Sequence, residues 1–200
     1  MSEINEIKIL VLGNGSVGKT SIIIKYIDNK FSISYLTTLG LDFKQKKLKL
    51  KNGKVINLKI FDTAGQERYK SVSLSFIKKA DGVLLIYDIS DRSTFDAING
   101  WIQSLMDVGK ESIPIILIGN KCDLSEDKRK VTNEEGIQKS NEYKIPFFET
   151  SCKDGININE VFDKIIEEIT CNSNWNTPGK SKILNKKGKK RNVVKLYYIG

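Results

Sequence analysis

Two hundred residues, 40% of them hydrophobic, suffice for one compact core and leave little room for a second domain. The formal charge of +9 points to nucleic acid only until it is located: eight of the 33 basic residues and none of the 24 acidic ones lie between Lys180 and Gly200, leaving 25 against 24 in the rest of the chain. With no histidine, and with Cys122, Cys152 and Cys171 in no C-x-x-C spacing, the composition excludes histidine-based catalysis, speaks against a disulfide framework or a structural zinc site, and fits a reducing compartment.

Met1-Ser2-Glu3 opens no signal-peptide pattern, and no apolar run approaches the roughly 20 residues that cross a bilayer, so a cytosolic protein is expected. Ile7 to Leu12 is an apolar run that reads as a buried strand. It leads into Gly13-Asn14-Gly15-Ser16-Val17-Gly18-Lys19-Thr20, which fits G-x-x-x-x-G-K-[ST]. Glycines at these spacings let consecutive backbone N–H groups curl around phosphate oxygens. Lys19 can neutralise the outer phosphates, the Thr20 hydroxyl can ligate Mg²⁺, and a helix over Lys19 to Tyr26 aims its positive end at the same anion. A glycine-rich turn with an exposed lysine would share these letters, so the downstream residues have to discriminate.

Phe31 to Phe43 is a long connection for a domain of this size, and such loops are usually functional. Thr38 can offer its hydroxyl to Mg²⁺ and its N–H to a γ-phosphate, so that a triphosphate orders the loop and hydrolysis releases it. Phe31 can sit edge-on to a base or tuck into the core. Asp42 to Lys51 alternates, and Asn52-Gly53 reverses the chain into the strand Val55 to Phe61, a hairpin signal. The lysine-rich face formed by Lys44, Lys46, Lys47, Lys49 and Lys51 suits an exposed antiparallel edge.

Phe61-Asp62-Thr63-Ala64-Gly65-Gln66-Glu67 follows that strand. Asp62 can hold Mg²⁺ through water, the Gly65 N–H can donate to a terminal phosphate, and Gln66 can orient an attacking water. Gly82 to Asp88 is the next strand, and in Ser93 to Met106 the residues Phe95, Ile98, Ile102, Leu105 and Met106 form the stripe of a helix lying on a sheet. After the strand Ile115 to Gly119 comes Asn120-Lys121-Cys122-Asp123. The Asp123 carboxylate can accept from the ring N–H and exocyclic amine of guanine, whereas adenine offers neither donor there and leaves the acid unpaired. That residue separates a guanine-nucleotide protein from an ATP-dependent kinase or ATPase on the same phosphate loop. Lys121 can lay its stem across the base, and Asn120 can tie the two loops together.

Thr132-Asn133-Glu134-Glu135 opens a helix to Asn141 with capping-box spacing, and Pro146 to Thr150 is the last strand. Beyond it, backbone N–H groups of Ser151 and Cys152 can meet the guanine carbonyl while Lys153 packs on the base from the other side. A helix over Asn159 to Thr170 closes the pattern. Strands alternating with helices predict an α/β fold with a six-stranded, mostly parallel sheet, one antiparallel edge strand and helices on both faces. Ligands in such folds sit beyond the carboxyl ends of the strands, where these motifs fall.

Together and in this order, from about Glu6 to Thr170, the motifs resemble the Ras superfamily of small GTPases, and in finer texture its Rab family. Thr38-Leu39-Gly40-Leu41-Asp42-Phe43 is similar to the Rab effector loop, Arg68-Tyr69-Lys70-Ser71-Val72-Ser73 to its second switch, and Leu85-Ile86-Tyr87-Asp88-Ile89-Ser90 to its fourth-strand signature. The resemblance implies a P-loop G domain over residues 1–172, a basic tail over 173–200, and a monomer that binds GTP with Mg²⁺ and hydrolyses it slowly. It adds Ser21 to the phosphate side and Leu124 to the guanine side. It also places Leu39, Gly40, Leu41 and the aromatic triad Phe43, Phe61 and Phe76 at the effector surface. Partners implied are an exchange factor, an activating protein and effectors, and the implied role is vesicle trafficking. A module that holds GTP as a scaffold without useful hydrolysis is the rival, against which Gln66 speaks. Departures are Gly15-Ser16, in reverse of the usual order, Ser75 to Ala80 in place of Y-Y-x-G-A, Cys152 where alanine is usual, and Phe61 where tryptophan is usual. Cys171 is the last cysteine, so prenylation at the end of this sequence is not assumed. The basic tail, with Val193, Val194, Leu196, Tyr197, Tyr198 and Ile199, either attracts anionic lipid at an endomembrane or stays solvated and binds nothing specific, with no specific nucleic acid expected.

Overall fold

The first strand already demands cover on both sides. In β1 (Asn5–Leu12) successive side chains alternate between faces, and Ile7, Ile9 and Val11 on one face and Leu10 and Leu12 on the other are all fully buried. The computed structural model describes residues 5–30, 41–50, 53–63, 76–110 and 112–171, with only the backbone of Asn5, Leu41, Asp42 and Thr63.

The elements follow in the order α1 (Lys19–Asp28), β2 (Leu41–Lys49), β3 (Val55–Thr63), β4 (Gly82–Asp88), α2 (Arg92–Asp96), α3 (Ile98–Asp107), β5 (Ile115–Asn120), α4 (Asn133–Tyr143), β6 (Phe147–Thr150) and α5 (Ile158–Cys171). They build one six-stranded sheet in the order β2-β3-β1-β4-β5-β6, in which only β2 runs antiparallel. The α/β architecture read from the sequence is the one observed. Helices α1 and α5 cover one face through Ile22, Ile23, Tyr26, Val161, Phe162 and Ile165, with the Tyr26 ring stacked on Phe162 at 3.7 Å between centroids. Phe95, Ile98, Ile102 and Leu105 cover the other. Among the described residues no helix is long and apolar enough to cross a membrane.

Three details differ from the sequence reading. The helix expected over Ser93 to Met106 is divided at Ala97. Ala97 keeps a right-handed conformation (φ −71°, ψ −13°), and the Ala97 N–H to Ser93 and Trp101 N–H to Ala97 bonds persist at 3.2 Å, so the axis continues through a local distortion. The edge strand ends at Lys49, and the chain turns through Gly53 at φ 81°, with the Gly53 N–H bonded to the Leu50 carbonyl at 2.9 Å. The lysines of β2 do not share one face either. Lys44 and Lys46 stand opposite Ile60 and Leu58, whereas Lys47 and Lys49 stand opposite Asn57 and Val55 on the other side of the pleat. Lys46 is more than a solvated edge charge: its Nζ donates to the Tyr26 carbonyl at 3.1 Å and lies 4.5 Å from the centre of the Tyr26 ring, joining β2 to α1.

Helix α4 begins with the capping box its sequence announced. Glu135 N–H donates to Thr132 Oγ1 at 3.2 Å, and Thr132 N–H donates to Glu135 Oε2 at 2.9 Å.

Phe162 is fully buried under the Tyr26 ring, so Phe162→Ala is expected to cost about 3–5 kcal/mol of stability. Urea unfolding measures this, and an unchanged midpoint would contradict the packing.

Candidate functional site

The carboxyl ends of β1, β3, β4, β5 and β6 converge, because parallel strands in adjacent register end together: Val11 pairs with Asp62, Asp88 with Asn120, and Asn120 with Thr150. Each motif residue enters at one of these ends.

The loop after β1 is shaped by backbone that only small residues allow. Gly13 (φ 143°) packs so closely that a Cβ would lie 2.2 Å from the Ile86 carbonyl oxygen. At Gly18 (φ 96°) a Cβ would lie 2.3 Å from Asn120 Nδ2. Ser16, exposed like Gly15, takes φ 64°, a left-handed conformation that glycine adopts more cheaply, so the reversed Gly15-Ser16 order carries some strain. Helix α1 starts at Lys19 with Gly18 as its N-cap, no side-chain cap and no acid in its first turn. Its first N–H groups and its positive dipole end therefore face the loop, with Ser21 in that first turn.

Lys19 is 5% exposed, and its Nζ donates to the Gly13 carbonyl at 2.9 Å and the Asn14 carbonyl at 2.6 Å. Burial pulls its pKa down to about 8, against the opposing pull of the Asp62 carboxylate. Thr20 Oγ1 donates to Asp62 Oδ2 at 2.5 Å, across 42 residues of sequence. A hydroxyl and a carboxylate side by side beneath a phosphate cradle form a sparse set of hard oxygen donors. Such a set fits Mg²⁺, which keeps water and phosphate ligands, better than a metal caged by three or more His, Cys, Asp or Glu side chains; no such group occurs among the described residues.

The loop after β5 is bolted to the first. Asn120, 2% exposed, donates from Nδ2 to the Val17 carbonyl at 2.8 Å, and its Oδ1 accepts from Thr150 Oγ1 at 3.0 Å and from the Cys152 thiol at 3.7 Å. Lys121 sits at φ 71° and reaches Asp88 Oδ2 at 2.5 Å. Ser151 Oγ donates to Asp123 Oδ1 at 2.7 Å and accepts from the Asp154 N–H at 3.0 Å. The Leu124 N–H closes a turn onto the Lys121 carbonyl, and Lys153 is exposed. Cys152 is 5% exposed, and burial pushes its thiol up to about 12; burial also raises that of Cys122, so both are poor nucleophiles at neutral pH.

The model of the Ras family matches residues 8–171. The chain belongs to the Ras family. Its relatives refine this: it is 41% identical to the Ras-related protein RAB1BV of Beta vulgaris over 82% of this chain and 75% of that one, and 40% identical to the Ras-related protein Rab-3A of Homo sapiens over 81% and 73%. It is 37% identical to the Ras-related protein Rab-13 of Rattus norvegicus over 87% and 85%. This Rab-like small GTPase is thus a hydrolase of GTP, and vesicle trafficking is the general role of Rab proteins.

In the Rab-like GTPase, Phe61 lies 6.2 Å from Phe43 and 5.5 Å from Phe76, so the three aromatics anticipated as a triad do meet, with Phe43 51% exposed. Phe31, Thr38, Leu39, Gly40, Gly65 and Gln66 lie outside the described residues, as does the tail, and Leu41 is described by its backbone alone. Trp101 went unnoticed in the sequence reading: its Nε1 donates to Asn14 Oδ1 at 2.9 Å and pins the phosphate loop to α3. The available signal was a tryptophan at the border of the apolar stripe of that helix, since a half-buried indole N–H seeks an acceptor.

The depressed pKa of Lys19 fixes the sign of a proton linkage. Phosphate oxygens favour the ammonium form and raise this pKa, so between about pH 8 and 10 nucleotide binding is expected to take up protons. Calorimetry with GDP at pH 9 in buffers of different ionisation enthalpy measures the uptake, and proton release would contradict it.

Proposed function

We propose that this GTPase grips GTP with Mg²⁺ in the pocket between the Gly13–Thr20 loop and the Asn120–Asp123 loop. The observation that carries this reading is the 2.8 Å bond from Asn120 Nδ2 to the Val17 carbonyl, which joins the two loops into one cradle. Backbone N–H groups of Gly13, Asn14, Gly15, Ser16, Val17, Gly18, Lys19, Thr20 and Ser21 surround the phosphates, and the Lys19 ammonium leaves its loop carbonyls for phosphate oxygens. Thr20, Asp62 and Thr38 would hold Mg²⁺, which would neutralise negative charge developing on the outer phosphates. Asp123, held by Ser151, accepts from guanine, with Asn120, Lys121, Leu124, Ser151, Cys152, Lys153 and Phe31 around the base.

Hydrolysis is in-line attack of water on the γ-phosphorus. The new P–O bond forms as the bond to the β–γ bridging oxygen breaks, and GDP leaves with that electron pair. Gln66 orients the water and Gly65 donates to the γ-phosphate. Among the described residues no arginine reaches the cradle, which fits slow unaided turnover, on the order of 10⁻⁴ to 10⁻² s⁻¹, and acceleration by an activating protein. Loss of the γ-phosphate releases Thr38 and the segment around Gly65, and effectors read that change at Leu39, Gly40, Leu41, Phe43, Phe61 and Phe76. The protein acts as a monomer whose G domain spans residues 1–172. Its basic tail of residues 173–200 meets the anionic cytosolic face of an endomembrane.

Gln66→Leu is expected to slow single-turnover hydrolysis of GTP by about tenfold or more while GDP affinity stays unchanged. Equal rates would remove Gln66 from the mechanism and favour the scaffold reading.

A further inference from the structure

Asp88 is a buried carboxylate that the mechanism above does not use. It ends β4, is 6% exposed, and both of its oxygens are engaged. Oδ1 accepts from the Ser90 N–H at 2.8 Å and the Ser90 hydroxyl at 2.7 Å, while Oδ2 pairs with Lys121 Nζ at 2.5 Å. The Asp88 N–H donates to Thr94 Oγ1 at 3.0 Å, so the carboxylate stands on a strand end that is itself tied to the following helix. Lys121 is the partner with freedom to lose. Its side chain is 36% exposed, and a lysine stem otherwise samples many rotamers.

From this arrangement we infer that Asp88 is a positioning residue for guanine: by holding the Lys121 ammonium it lays out the aliphatic stem as a ready platform for the base. The inference rests on the guanine reading of the pocket given above. Lys121 is fixed at two ends, by its own left-handed backbone (φ 71°) and by Asp88. A base that stacks on a stem already ordered forfeits less of its binding energy to ordering, and the gain falls on residence time. Ser90 holds Asp88 in its turn, so the platform is supported two residues deep.

The test is a double-mutant cycle in the full chain, loaded with N-methylanthraniloyl-GDP in the presence of magnesium and chased with excess GDP. Asp88→Ala and Lys121→Ala are each expected to speed release about tenfold, and the combined variant by no more than Lys121→Ala alone. Asp88→Asn keeps the size and the acceptor for Ser90 but removes the charge. It is expected to speed release with an unchanged unfolding midpoint, and it takes the place of Asp88→Ala in the cycle if that variant does not fold. Two changes that multiply to about a hundredfold, or Asp88→Asn releasing at the wild-type rate, overturn the inference, because Asp88 then does not act through Lys121. A wild-type chain that retains no labelled GDP overturns the guanine reading itself.

Discussion

The hydrogen bond from Asn120 to the Val17 carbonyl is the contact on which the site depends. It joins two loops separated by about a hundred residues of sequence, one rich in backbone N–H groups and one carrying the acid that can recognise a purine. A bond of this kind between a buried side chain and a buried carbonyl cannot be lost without leaving a polar group unsatisfied, so the two loops hold their spacing together. Thr150 and Cys152 converge on the other end of the same amide, and Gly18 has no side chain because one would occupy the place of Asn120 Nδ2. The sheet makes this possible. Parallel strands β1, β5 and β6 deliver all the participants to one edge, and the register that pairs Asn120 with Thr150 sets their height.

Charge in the cradle suits an anion. Lys19 is buried with its ammonium held by two carbonyls; burial lowers its pKa, a cost that a polyphosphate would relieve. The uncapped start of α1 points the same way. At α4, by contrast, a full capping box satisfies the helix terminus internally.

Much of this was legible in the sequence because it is local. The phosphate loop, the strand-end Asp62, the Asn120-to-Asp123 run and the capping box at Thr132 are contiguous patterns whose geometry follows from backbone preference and from the strand that precedes them. Apart from the tie anticipated at Asn120, what escaped is contact across the fold. Asp88 to Lys121 and Trp101 to Asn14 join residues 33 and 87 positions apart, and no periodicity within one element points from one to the other. The lysines of β2 were misjudged for a related reason. Their number suggested one exposed face, but a period of two divides them between both faces and sends Lys46 onto Tyr26. The unbroken stripe through Ser93 to Met106 gave no sign of the division at Ala97, since the helical bonds on either side persist and the apolar spacing is undisturbed.

The claim that matters most is that one pocket recognises both the phosphates and the guanine ring. Titration calorimetry of the full chain with GDP and, separately, with ADP, at equal magnesium, tests it most directly. The account predicts tight binding of GDP and binding of ADP weaker by orders of magnitude, because adenine leaves the Asp123 carboxylate without its donors. Equal affinities for the two diphosphates would contradict it.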